Sequence, residues 1–465
     1  MPEHYDLIVV GAGSAARDGA KKAASEYGAK VALVERERWG GSCPNVACTP
    51  TKAYLVAAEL VHRINTLAER IGIDVGPARA DLARVKSRKE TLKKPQPQWV
   101  EDLNAAGFAT YTGTATFVDP RTLRVGDEEL TADRVLIATG SRTAVPPIDG
   151  IDDVDWIDHV SALDLEELPR SLLVVGAGAV GLEFGQAFAR FGSEVTIVDT
   201  LDQVAPRSDV QAAAELQAAL EDEGIPILLG SLVKRVVADG DEVVATIVPR
   251  EGGPERELRV ERIVLASGRV ANIEDLNLEA AGVETSRLGI VADERLRTST
   301  PGIWAAGDVN GQAQLTPVAQ YQARIAIDDM FGKGNGRAAD YSVLPTAIFT
   351  DPELAGVGLT QQDAEQQGYE AEAVVHPLKF VRRASYIDAK RGLFKIVFDR
   401  ATRRVLGLHV VAPGASDVVQ GLSIALKLGV TVDDLADSHH TFPTIGEGVK
   451  AAAEQASVRE PVEAR

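Results

Sequence analysis

The apolar positions fall into short runs of two kinds, and one arrangement of them occurs twice. Residues 5–10, Tyr-Asp-Leu-Ile-Val-Val, read as a strand buried on both faces. The chain turns through Gly11-Ala-Gly13-Ser-Ala-Ala16 into a helical spacing over 17–27, then a strand over 30–34 that ends at Glu35. The same order returns later: a strand over 172–175, the turn Gly176-Ala-Gly178-Ala-Val-Gly181, a helix over 182–191, and a strand over 195–198 ending at Asp199. Between the two, the pattern predicts a helix over 51–70, a break at 93–98, alternating strands over 107–124, and a strand over 134–138 leading into Thr139-Gly140-Ser141. Beyond the second, a strand over 262–268 runs into Gly268-Arg269. A short strand then reaches Gly307-Asp308, and a helix covers 316–332. After the glycine-rich 332–336 the pattern changes to strands at 346–349, 393–399 and 405–411 and helices at 415–428, 432–437 and 446–457.

Strand, glycine turn, helix, strand and acid make a dinucleotide-binding unit. Gly11 permits the tight turn, Gly13 lets a pyrophosphate approach the backbone, and the helix start offers free N–H groups and a partial positive charge. Glu35 stands where a carboxylate can accept the ribose hydroxyls. Ala16 replaces the third glycine, a departure expected to loosen helix–strand packing slightly. Gly176, Gly178 and Gly181 are all present in the second unit. Two such units imply two dinucleotides, one holding electrons and one delivering them. Asp199 favours NADH, because a 2′-phosphate there would meet like charge; Arg207 and Arg190 keep NADPH open. The fold expected is α/β, with two Rossmann-like dinucleotide-binding domains and a C-terminal α+β domain that has no glycine turn and reads as an interface.

Composition narrows the class. With 465 residues the chain is too long for one core. A net charge of −19 argues against nucleic acid and anionic membrane as partners. No apolar run is long enough to span a membrane, and the start lacks the pattern of a secretory leader, so the cytoplasm is the expected compartment. Cys43 and Cys48, in Gly40-Gly41-Ser42-Cys43-Pro-Asn-Val-Ala-Cys48, are the only 2 cysteines. In a reducing compartment so close a pair points to redox chemistry rather than a structural bridge. A metal site would need more Cys or His ligands nearby than this stretch offers.

These motifs together resemble the flavoprotein disulfide reductases, a family that includes dihydrolipoamide dehydrogenase, glutathione reductase and mercuric reductase. The likeness runs from end to end and adds Ala138-Thr139-Gly140, Ala266-Ser-Gly268-Arg269 and Ala306-Gly-Asp308 to the glycine turns and the cysteine stretch. It implies an FAD-binding domain at 1–150 with a return segment at 269–336, an NAD(P)H-binding domain at 151–268, and a dimerisation domain at 337–465. FAD would be held by Gly11, Gly13, Ala16, Glu35, Gly41, Ser42, Lys52, Ala115, Thr139, Gly140 and Asp308. The nicotinamide cofactor would be held by Gly176, Gly178, Gly181, Glu183, Asp199 and Gly268. Lys52 would pair with Glu183 beside the flavin. Cys48 would be the thiolate in charge-transfer contact with the flavin, and Cys43 the thiol that attacks substrate. A two-fold homodimer would complete each site from the other subunit.

Within the family the likeness is to mercuric reductase, through Pro44 and Ala47, residues 406–414 and residues 435–437. Two features of that enzyme, a C-terminal cysteine pair and a metal-binding N-terminal extension, have no counterpart in this sequence. Thiol–disulfide members also carry a histidine base five residues before a glutamate. Here Phe442 occupies that position, Glu447 is kept, and His439 and His440 stand just upstream. Phenylalanine carries no proton. The expectation is therefore a reductase passing electrons from NAD(P)H to a thiol-reactive acceptor such as a metal ion, a quinone-like molecule or a disulfide. Three alternatives stand beside it: a dihydrolipoamide dehydrogenase type using His439 or His440, an enzyme like 2-ketopropyl coenzyme M carboxylase, and a non-catalytic redox sensor.

Overall fold

The computed structural model describes residues 2–332 and 337–457. The boundary expected at 336 and the tail from 458 lie outside those residues. The chain divides into two compact units. One takes Met1–Ala53, Lys86–Ala144 and Gly268–Asp340; the other takes Tyr54–Val85, Val145–Ser267 and Tyr341–Arg465.

The first unit is built on a five-stranded parallel sheet whose centre is Leu7–Val10. Val31–Glu35 and Ala109–Thr112 lie to one side, Val135–Ile137 and Ile303–Ala305 to the other. Alternation along the strand divides its burial. Leu7 and Val9 pack with the helices Ser14–Tyr27 and Thr316–Phe331, while Ile8 and Val10 pack with a second sheet formed by residues 3–5 and 115–132. Each such side chain, at 0–3 % exposure, contributes about 1.5–3 kcal/mol of burial.

The second unit repeats the topology. Ser171–Val175 is central, with Glu194–Val198 and Ile227–Leu228 on one side and Arg262–Leu265 on the other, all parallel. In both sheets the chain steps outward from the central strand and returns to its opposite edge. This leaves a crevice at the carboxyl ends, where the glycine turns begin. The second unit also holds a five-stranded antiparallel sheet running from Thr346–Ile348 through Glu353–Gly358, Val405–Ala412 and Leu393–Asp399 to Ala371–Pro377. Helices Ala415–Lys427 and Glu447–Ser457 pack with it.

Several elements differ from the sequence pattern. The helix expected over 51–70 runs Cys48–Thr66, so Cys48 opens it and Pro50 sits in its first turn, where a missing N–H costs nothing. The break at 93–98 is also a beginning. The helix Gln96–Ala105 starts there with Pro97 in its first turn. An antiparallel sheet of Ser231–Asp239, Glu242–Pro249 and Arg256–Val260 stands where no element was expected, because its charged faces mask the alternation of Val243, Ala245 and Ile247. Ala16 is fully buried.

Candidate active site

The cysteines lie on two consecutive helical turns of the first unit. Cys43 belongs to the single turn Ser42–Asn45, and Cys48 opens Cys48–Thr66. Asn45 fixes the first turn: its Nδ2 donates to the carbonyls of Trp39 (2.9 Å) and Gly41 (2.7 Å), and its Oδ1 accepts from Gln96 Nε2 (3.0 Å). Gly41 has φ +75°, and a Cβ there would lie 2.4 Å from Gly13 Cα. No other residue lets the cysteine stretch lie against the first glycine turn.

Both thiols are free; Cys43 is half-buried and Cys48 exposed. The Cys43 thiol is held down to about 6, first because the Cys48 thiol hydrogen-bonds to it. Thr316 and the charges of Arg17 and Lys52 add to this against the opposing effect of burial. The Cys48 thiol is pushed up, first because it is the donor in that bond. The pair therefore releases one proton below the ordinary thiol range and holds the other well above it. Cys48 Sγ also lies 3.7 Å from Thr316 Oγ1, at the start of Thr316–Phe331. Thr316 and Arg17 were not among the expected site residues. Thr316 could have been noticed as a hydroxyl at a predicted helix start, whereas Arg17 reads in sequence as an ordinary helix cation.

A cleft at the carboxyl end of the first parallel sheet is lined by Gly11, Glu35, Ala115, Thr139, Asn272 and Asp275, among others. Four expected residues thus meet there. Glu35 accepts the N–H groups of Ala12 (2.9 Å), Glu37 (2.9 Å) and Arg38 (3.2 Å). A carboxylate has about four acceptor positions, so room remains for a hydroxyl. Thr139 and Gly140 are tied to the return segment through Asn272: Thr139 Oγ1 donates to the Asn272 carbonyl (2.7 Å), and the Asn272 N–H donates to Gly140 O (3.0 Å). Asp308 receives the Ser141 hydroxyl (2.6 Å), and Arg269 Nε stands 3.8 Å from it. Gly268 carries φ +130° beside Arg269.

Whether a dinucleotide fits can be read from the glycines. A Cβ on Gly13 would meet only Gly41 Cα at 3.9 Å, and one on Gly178 nothing within 4 Å. Both glycines cap their helices without a side-chain hydrogen bond, leaving the N-terminal N–H groups to an anion. In the second unit Asp199 accepts the N–H groups of Ala177 (2.6 Å) and Leu201 (2.8 Å), as Glu35 does in the first. Glu183, 5 % exposed, accepts the Phe349 N–H at 3.0 Å. Arg190 is committed elsewhere, to Glu223 (2.7 Å) and Asp351 (3.1 Å); Arg207 is exposed.

The C-terminal loop separates its expected residues. Phe442 is 68 % exposed. Glu447 Oε2 accepts the Thr444 N–H (3.0 Å) at the start of its own helix. His440 Nε2 lies 3.0 Å from Ser438 Oγ rather than beside Glu447, and His439 is exposed. No helix among the described residues is long and apolar enough to cross a membrane.

Comparison with known proteins gives a consistent picture. Residues 5–323 match the model of the pyridine nucleotide-disulphide oxidoreductases, and residues 344–453 that of their dimerisation domain. The chain is 36% identical to a mercuric reductase of Staphylococcus aureus over 455 residues, 97% of this chain and 82% of that protein. It is 37% identical to a dihydrolipoyl dehydrogenase of Thermus scotoductus over 456 residues, 97% of both chains. Among solved structures it is similar to the copper(II) complex of the HOCl-induced flavoprotein disulfide reductase RclA of Escherichia coli. The TM-score is 0.87 at 29% identity, covering 98% of this chain and 100% of that one.

Proposed function

The chain belongs to the pyridine nucleotide-disulphide oxidoreductase family, and from that premise we propose that it uses NAD(P)H to reduce a thiophilic metal ion at Cys43 and Cys48. The family is FAD-dependent, and its members are oxidoreductases acting on sulfur or metal acceptors. What carries the proposal is Phe442, five residues before Glu447, where the resemblance to the family expects a histidine base. The half-reaction that reduces a disulfide takes up two protons, which the protonated form of such a base would relay; the half-reaction that reduces a metal ion takes up none. Mercuric reductase as a relative and copper(II) in the structure of a similar reductase support the same reading.

FAD and NAD(P)H, when bound, supply the hydride and electron chemistry. The protein's own residues do the rest. Gly11, Gly13, Ala16, Gly41, Ser42, Glu35, Ala115, Thr139, Gly140 and Asp308 bind and orient FAD in 1–150 and 269–336. Gly176, Gly178, Gly181, Asp199 and Gly268 seat the nicotinamide cofactor, with 151–268 as its domain. Arg190 is occupied by Glu223 and Asp351, which leaves the acid Asp199 to favour NADH. Lys52 would carry its charge to the flavin side of the first unit, and Glu183, which accepts the Phe349 N–H, would serve the nicotinamide side of the second. Cys43, ionised first, binds the metal as thiolate, and Cys48 supplies the second sulfur. The balance is one NADH and two Cu(II) giving NAD⁺, one proton and two Cu(I). The domain 337–465 forms a two-fold dimer in which Phe442 faces the thiols of the other subunit. Its exposure, with that of Ile424 (65%) and Leu428 (82%), supports a partner surface.

The test is NADH oxidation by purified protein with Cu(II), Hg(II), lipoamide and glutathione disulfide as acceptors. Metal-dependent turnover lost in Cys43→Ser is expected, with little turnover of either disulfide. Phe442→His should raise disulfide reduction at least tenfold. Lipoamide turnover in the parent protein, abolished by His440→Ala, would replace this reading with a dihydrolipoyl dehydrogenase.

A further inference from the structure

The turn after Asp199 is braced from an unexpected direction. Ser231 N–H donates to Asp199 O (2.9 Å) and Gly230 N–H to Leu201 O (2.9 Å). Arg250, just past the strand Glu242–Pro249, anchors its own N–H on Gly230 O (2.7 Å). Its guanidinium lies across the turn: Nη1 donates to Thr200 O (2.9 Å) and Nη2 to Asp202 Oδ2 (2.7 Å). Gly230 makes room for this, since a Cβ there would lie 3.0 Å from Asp202 Oδ1. Of the two arginines the sequence offered for a 2′-phosphate, Arg190 is locked in buried pairs and Arg207 is exposed.

The pair is built but accessible, with Arg250 at 41% and Asp202 at 71% side-chain exposure. It adjoins the carboxylate that would receive the ribose of a nicotinamide cofactor. We propose that Asp202 and Arg250 form a second discriminator between NADH and NADPH beside Asp199, Asp202 occupying the guanidinium that a 2′-phosphate would otherwise engage. This rests on reading 151–268 as the nicotinamide-binding unit. A 2′-phosphate brings about two negative charges to a turn where two carboxylates stand and the nearby guanidinium is already paired. An exposed ion pair is weak, so removing its acid releases the arginine at little cost to the fold.

Calorimetric titration of the FAD-loaded protein with 5′-AMP and 2′,5′-ADP tests this without any electron acceptor, so failure of metal reduction would not obscure it. Asp202→Asn should tighten 2′,5′-ADP about tenfold, the worth of one charge-assisted hydrogen bond, and leave 5′-AMP within about twofold. Adding Arg250→Ala should remove the gain, while Arg250→Lys should keep part of it. An unchanged 2′,5′-ADP affinity in Asp202→Asn, or a gain that survives Arg250→Ala, would overturn the proposal. Failure of the parent protein to bind 5′-AMP would overturn the nicotinamide-unit reading and this inference with it.

Discussion

The two glycine turns share a topology but not a tolerance. At the first glycine they are alike. A Cβ on Gly11 would lie 2.4 Å from Ala138 O, and one on Gly176 would lie 2.4 Å from Ala266 O, both at φ above +100°. At the third position they part. Ala16 is accommodated fully buried, whereas a Cβ on Gly181 would lie 1.8 Å from Gly176 O. The helix Ala179–Phe191 therefore sits closer to its own turn than Ser14–Tyr27 does. The glycine fingerprint is thus two requirements: a backbone angle needed in both units and a close approach needed only in the second.

The largest effect should come from Gly11→Ala against Gly176→Ala. Each forces a backbone clash at positive φ, on the order of 3 kcal/mol or more of local strain. Gly11→Ala should purify without flavin absorbance and with a lowered Tm. Gly176→Ala should stay yellow but lose NADH-dependent flavin reduction by about a hundredfold or more. Equal flavin loss in both would break the assignment of the turns to different cofactors. Next in size is Gly181→Ala, where overpacking should cost about 1–3 kcal/mol and raise the apparent Kd for 5′-AMP with FAD retained. The smallest effect belongs to Ala16→Gly. It should lower stability by about 0.5–1 kcal/mol in urea unfolding through the flexibility of a helical glycine, with flavin content unchanged. A gain in stability there would mean that Ala16 strains the first unit after all.

Much of this was legible in the chain. The parallel strands, both glycine turns, Glu35, Asp199 and the cysteine pair are local signals, because a buried parallel strand must be apolar throughout and a tight turn must carry glycine. The expectation of looser packing at Ala16 was also local, but how far each helix lies from its own turn, and so whether a Cβ is tolerated there, is a contact the sequence does not report. The strands of 231–260 were hidden for a similar reason: their charged residues face outward, and only pairing reveals the inward set.

The sequence by itself therefore placed the two glycine turns, the acid that follows each, the close cysteine pair, and at 442 a side chain that cannot carry a proton. Those are properties of residue type and spacing. Only the tertiary structure decided that Arg17 and Thr316 bear on the Cys43 thiol, that Arg190 is spent on Glu223 and Asp351, and that Arg250 reaches the turn after Asp199. Hydrogen bonds and charge interactions act over a few ångströms in space, and chain distance does not report which distant segments come within that range.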